Sequence, residues 1–307
     1  MFFLTYGEKG PKVVLVQTLM RLHNIDVQIN GHWQQECMKA VEEYRAKLNL
    51  RPLGSIDGKV FFNLLQGSKL KVIDSLDASA GDVADITKRE MKAAGVKVLL
   101  NKRVPGHGVE KAVDNIVERS KNHRIALLRI FGHGNGGNWL SVALGNPFHL
   151  RTSGSEADMA KYNVLKADWK SYIDNNHFGY HKKSLVRISP LFASFGSVEL
   201  HSCTIGSTQQ EMIQKMADTW GVPVTAGKGD QMVGTYYKDA AGKNVPYFKN
   251  KWGEVVPFNF VMEGEVFRAY PNGGNLQKWA ASVEASVPNL VRWFSKIKQG
   301  VSNIFGN

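Results

Sequence analysis

Two apolar runs in this chain end on residues that could do chemistry together. "IALLRIFGHGNGG" (125–137) stops at His133 among glycines, and "VELHSCTIG" (198–206) stops at Cys203, one of two cysteines. A thiol attacks carbon as its thiolate, which a nearby base and a positive helix end both favour. His133 could be that base, and the helical pattern "TIGSTQQEMIQKMADTW" directly follows Cys203. Gly132, Gly134, Gly136 and Gly137 let the backbone approach a substrate closely. The amides of Gly134 and Cys203 are the candidate oxyanion donors. His201 precedes Cys203 by two residues, so a regular strand would aim both to one side, making His201 a candidate substrate contact. The alternative, a zinc site of His133, His201 and Cys203, lacks a second nearby cysteine or an HExxH motif. His107 in "PGHG" follows a proline turn rather than a long apolar strand and ranks below His133. Alone, a cysteine fits a strand end as a small hydrophobe and a histidine fits a glycine loop as a turn residue. The joint pattern, both at strand ends with a helix after the cysteine, is what points to a dyad.

The pattern around these runs must bring together positions 70 residues apart. Strand-like "VKVLLN", "RIALLRIFG", "SVELHSC" and "VPVTAG" alternate with the helical "VEKAVDNIVERSKN", a helix around "ISPLFASFG", and "STQQEMIQKMADTWG". That alternation predicts an α/β fold with a largely parallel sheet flanked by helices. In such a sheet the carboxyl ends of the strands share one edge, where sites form. "MVGTYY", "VPYF", "FNFVMEG" and "EVFRAY" read as extra strands, and 276–305 as a terminal amphipathic helix broken at Pro288. Ahead of the sheet, residues 1–67 predict a small three-helix domain and 68–86 a linker, leaving 87–307 as the α/β domain.

The strands "LLRIFGHG" and "SVELHSC" resemble the caspase-like (clan CD) cysteine peptidases, whose signature is a hydrophobic strand ending in His-Gly followed later by one ending in Cys. The resemblance covers roughly 95–230. It implies a peptidase with Cys203 as nucleophile and His133 as its partner. The caspase "QAC" is "HSC" here, and the resemblance assigns no position to the specificity-pocket residues, so substrate preference is left open. "YGEKGPKVVLVQTLMRLHN", "INGHWQQECMKAVEEYRAKLNL" and "LGSIDGKVFFNLL" resemble the three-helix peptidoglycan-binding module of bacterial and phage wall enzymes. Asn30-Gly31 stands where that family usually has Asp-Gly, and Tyr44-Arg45 where it has Phe-Gln. The implied ligand is peptidoglycan, with Trp33 and Tyr44 as candidate flat contacts.

Bulk composition narrows the class. A hydrophobic fraction of 43% supports a packed core. The formal net charge of +12 favours polyanionic surroundings, but the basic residues form no cluster of the kind a nucleic-acid tail shows, so no nucleic-acid partner is expected. Two cysteines make no disulfide framework. "MFFLTYGEKG" is too short and too soon polar for a signal peptide, and no stretch approaches the ~20 apolar residues of a membrane span. The expectation is a soluble, wall-directed Cys/His hydrolase without a cofactor or metal. It would act on a protein or peptide substrate at the cell envelope, delivered by a specialised secretion machine or encoded by a phage. The alternative is a non-catalytic peptidoglycan-binding adaptor with a degenerate caspase-like domain.

Overall fold

The computed structural model describes residues 4, 6–66, 68–77, 97–101, 107–132, 134, 139–142, 155–157, 159–160, 163, 168–229, 236–238, 244–249, 255–257 and 264–305. The chain opens with helices α1 (Pro11–Leu22), α2 (Gln35–Lys47) and α3 (Gly58–Leu65). It continues through β1 (Leu70–Asp77), β2 (Lys97–Asn101), α4 (Gly108–Arg119) and β3 (Arg124–Phe131). After the short pair β4 (Leu140–Ser141) and β5 (Tyr172–Ile173) come α5 (Phe178–Leu185), β6 (Phe192–His201), α6 (Ile205–Thr208), α7 (Gln210–Trp220) and β7 (Val224–Gly227). Strands β8 (Tyr236–Lys238), β9 (Asn244–Lys249) and β10 (Val255–Pro257) form a separate antiparallel sheet. The chain then adds β11 (Val266–Ala269) and α8 (Leu276–Phe305).

The central sheet has six strands in the order β11-β7-β6-β3-β1-β2. All neighbours in it are parallel except β11, which runs antiparallel to β7 at one edge. The mixed α/β class with a mostly parallel, helix-flanked sheet therefore stands. Ile73, Leu128, Val198 and Val224 point into a core filled by α4, α5 and α7. Val72, Leu76, Phe131 and Phe195 point to the opposite core, which contains α1, α2, α3 and the first half of α8.

That second core corrects the expected division of the chain. Residues 70–77, read from sequence as linker, form β1, which lies between β3 and β2 inside the sheet. The sequence conceals this strand because it carries Asp74 and Asp77. Asp74 is fully buried and paired with Arg129 of β3, both contacts being 2.6 Å, so a charge that looks like a loop signal sits at the middle of the sheet. Nor do the first three helices close a core of their own. Helix α1 is apolar on nearly all sides, with Val13, Val14, Leu15, Val16, Leu19 and Met20 at most 1% exposed. A helix of that kind must be surrounded, and α2, α3, α8 and the sheet surround it.

Local polar bonds fix the connections. The buried Gln17 amide donates to Asn30 Oδ1 and the His32 carbonyl, and its oxygen accepts from the Asn30 and Gly31 amides, which clamps the turn before α2. Gly31 takes φ +73°, and a Cβ there would lie 2.7 Å from Leu276 Cδ1 of α8. The Ile29 amide donates to Glu284, also on α8. The helix expected around "ISPLFASFG" is instead a 3-10 turn over Val186–Leu191 that leads into the ten-residue β6. Pro288 lies inside α8 rather than ending it. Among the described residues no helix is long and apolar enough to cross a membrane.

Candidate active site

Strands β3 and β6 are adjacent and parallel, with Phe131 opposite His201 in register, so their carboxyl ends leave the sheet side by side. Beyond those ends the two chains stay in contact. The Gly132 amide donates to the His201 carbonyl at 3.2 Å. Gly134 bridges to Leu140 of β4 and lies so close to the next turn that a Cβ there would fall 2.2 Å from the Cys203 carbonyl oxygen. At Gly132 a Cβ would meet the Ser141 carbonyl at 1.9 Å. Both glycines are thus required by close backbone approach. His133 itself lies outside the described residues, but its chain neighbours on both sides abut the segment 201–203.

Cys203 is half-buried in the turn between β6 and α6 and forms no disulfide. The turn is costly. Thr204 takes φ +54°, a left-handed conformation that a β-branched residue adopts rarely, at a cost on the order of 1–3 kcal/mol. Its amide is held by the Gly229 carbonyl at 2.9 Å. Ser202 Oγ and Thr204 Oγ1 are buried without a hydrogen-bond partner among the described residues, and Ser202 is only 1% exposed. Each such orphan costs roughly 1–3 kcal/mol. Cys203 is therefore bracketed by a strained residue and two unsatisfied hydroxyls, a combination that folded proteins retain mostly at working sites.

His201 does not belong to this crevice. Strand β6 ends at His201, so its alternation does not extend to Cys203, and the ring lies on the face covered by α1. It stacks on Phe131 with centroids 4.4 Å apart, and its Nε2 meets Glu199 Oε2 at 3.2 Å. Burial pushes the imidazole pKa down, against the upward pull of the Glu199 hydrogen bond. For Glu199, burial raises the carboxyl, but the Lys12 ammonium at 2.9 Å and then His201 outweigh it and hold the group well below the usual carboxylate range. The expected substrate contact is instead part of a buried ionic link between sheet and α1.

The two N-terminal candidates divide. Trp33 is 0% exposed and donates its indole N–H to the Gly54 carbonyl, so it offers no surface to a ligand. An indole following a glycine turn reads as exposed from sequence, whereas here the turn folds back over it. Tyr44 is half-buried, and its hydroxyl donates to Asn63 Oδ1 at 2.6 Å, leaving part of the ring accessible.

One pair escaped sequence reading. His177 Nδ1 meets both oxygens of Asp174 at 2.9 and 3.0 Å, and the ring stacks on Trp169 with centroids 5.4 Å apart. The pair follows β5, which is joined through β4 to Gly134, and the neighbouring Asn175 amide donates to Gln209 at the start of α7. The signal was available as Asp-x-x-His directly after a short apolar segment, but the surrounding polarity made the stretch read as loop.

No protein-family model matches this chain, and neither the curated proteins nor the solved structures provide a match.

Proposed function

We propose that this chain is a wall-directed cysteine hydrolase of caspase-like type, with Cys203 and His133 as its dyad. The supporting observation is the adjacency of the parallel strands β3 and β6, with Gly134 pressed against the Cys203 backbone beyond their ends. In the proposed reaction the Cys203 thiol gives its proton to His133, and the sulfur bonds to a carbonyl carbon. The amides of Gly134 and Cys203 receive the negative oxygen of the tetrahedral intermediate. The C–N bond breaks as His133 returns the proton to the leaving amine, forming a thioester. Water then attacks the thioester with His133 taking its proton, which releases the acid and restores the thiol. The bond is a peptide bond in a protein or a wall stem peptide, and the N-terminal resemblance is the reason to place the substrate at the envelope.

A thiol-reactive acyl probe on the full chain tests this reading. It requires fast labelling of Cys203, abolished in His133→Ala, with Cys37 unlabelled. Cys37 is 4% exposed and serves as an internal buried control. Equally slow labelling of both cysteines would instead leave a non-catalytic, wall-binding adaptor. Retention on purified sacculi that survives Tyr44→Ala and vanishes with salt would mean that net charge, not the helical unit, holds the wall.

A further inference from the structure

A cleft of about 150 Å³ lies where α1 meets the edge of the sheet, lined by Lys9, Gly10, Lys12, Ser197, Thr225 and Arg268 among others. A polar row crosses the sheet and enters the cleft at Glu199, Thr225 and Arg268. Asp74, Arg129, Glu199, Thr225 and Arg268 stand in register across β1, β3, β6, β7 and β11. On the β1, β3 and β6 side the row is internally matched, Asp74 with Arg129 and Glu199 with Lys12. On the β7 and β11 side it is not. Arg268 is exposed and makes no ion pair among the described residues. Its guanidinium nevertheless packs against the start of α1, where a Cβ on Gly10 would lie 2.9 Å from Arg268 Nε.

Helix α1 has no acidic residue in its first turn and no side-chain cap, so its own side chains do not offset its positive end. Lys9, Lys12 and Arg268 add three cations there, while Glu199 is already matched by Lys12 and Glu8 supplies one further carboxylate. A second and independent sign comes from the hydroxyls. Thr225 is 9% exposed and Ser197 is 2% exposed, both line the cleft, and neither side chain has a hydrogen-bond partner among the described residues.

We propose that this cleft binds a small oxyanion, the carboxylate or phosphate group of a ligand. Arg268 supplies the charge-matched donor, Thr225 and Ser197 supply hydroxyl donors, and the start of α1 supplies the positive field. Arginine suits the role because its planar fork reaches two oxygens at once. The site is separate from Cys203 and does not depend on the hydrolase reading. Because its walls come from both α1 and the sheet, occupancy strengthens the seam between them.

The test uses the full chain titrated with inorganic phosphate and, separately, with acetate, at fixed ionic strength. Binding is followed by calorimetry and by the thermal midpoint. Saturable one-to-one binding is expected with at least one anion below about 10 mM, with a rise in midpoint by mass action. Saturation by phosphate alone identifies a phosphate-bearing ligand, and saturation by acetate a carboxylate. Arg268→Gln is expected to weaken binding about tenfold or more. Thr225→Val, which keeps the side-chain shape, is expected to weaken it several-fold. Lys278→Gln removes one exposed charge elsewhere and is expected to leave binding unchanged. The proposal fails if neither anion saturates, if Arg268→Gln and Thr225→Val both bind like the parent, or if Lys278→Gln weakens binding as much as Arg268→Gln. The last result would show general attraction to the basic surface.

Discussion

Two stretches of one strand and its exit treat buried polarity in opposite ways. Within β6, Glu199 and His201 are buried and bonded to each other, and Glu199 is also bonded to Lys12. One to three residues later, Ser202 Oγ and Thr204 Oγ1 are buried with no partner among the described residues, and Thr204 is held left-handed. The first stretch is polarity used as structure, since every charge is matched and the link ties α1 to the sheet. The second is polarity left unsatisfied beside a half-buried thiol. A fold that matches its charges under α1 is able to satisfy polar groups, so the unsatisfied turn marks where stability has been exchanged for geometry.

The sharpest way to break that contrast is at Cys203. Cys203→Ala is expected to lower turnover of a cleavable peptide ester by roughly 10³-fold or more. Its free energy of unfolding in denaturant should change by less than about 1 kcal/mol, since a single half-buried sulfur is removed. Equal turnover in this variant would reassign the turn to structure. The opposite behaviour is expected on the matched side. Arg129→Leu leaves the fully buried Asp74 carboxyl without its partner, and should cost about 3–5 kcal/mol in a urea titration. A loss under 1 kcal/mol would mean that the row is not structural.

A smaller effect separates strain from packing. Thr204→Gly relieves the left-handed conformation and removes one orphan hydroxyl, so it should stabilise the fold by about 1 kcal/mol while lowering turnover. A destabilised Thr204→Gly would show that the hydroxyl has a structural partner after all. The smallest effect is a pH slope. Folded His201 stays neutral to lower pH than a free imidazole. As pH falls from about 6.5, the unfolded chain therefore binds a proton that the fold does not, and stability declines by up to about 1.4 kcal/mol per pH unit from this group. His201→Asn should remove that share of the slope between about pH 6.5 and 5, as read from unfolding free energies at each pH. Glu199 acts at lower pH. Its depressed folded value contributes stability above about pH 4.5, and that share is lost as pH falls further.

Much of this was legible in the sequence, in a patterned way. The apolar runs of β3 and of the second half of β6, with the amphipathic α4 and α7, follow their periodicity, because each buries a hydrophobic face. Where a polar residue is buried with its partner, the sequence misleads. Asp74 hid β1 as a linker, and His201 read as a site residue although its partners lie on the α1 side. The same holds for Trp33, whose indole is enclosed by a turn that donates no local signal of doing so. The domain boundary failed for a related reason. Helix α1 is apolar on nearly all sides, a feature that already argued against a free-standing three-helix unit.

By itself the chain determined its fold class, most of its strands and helices, and the two segments that carry His133 and Cys203, because those follow from periodicity and turn chemistry within a few residues. Only the tertiary structure decided that β3 and β6 are neighbours, that the first helices share a core with the sheet, and which buried charges are matched. Those outcomes depend on pairings between residues tens to hundreds of positions apart, and a buried charge carries no mark in the sequence of whether its partner will be there.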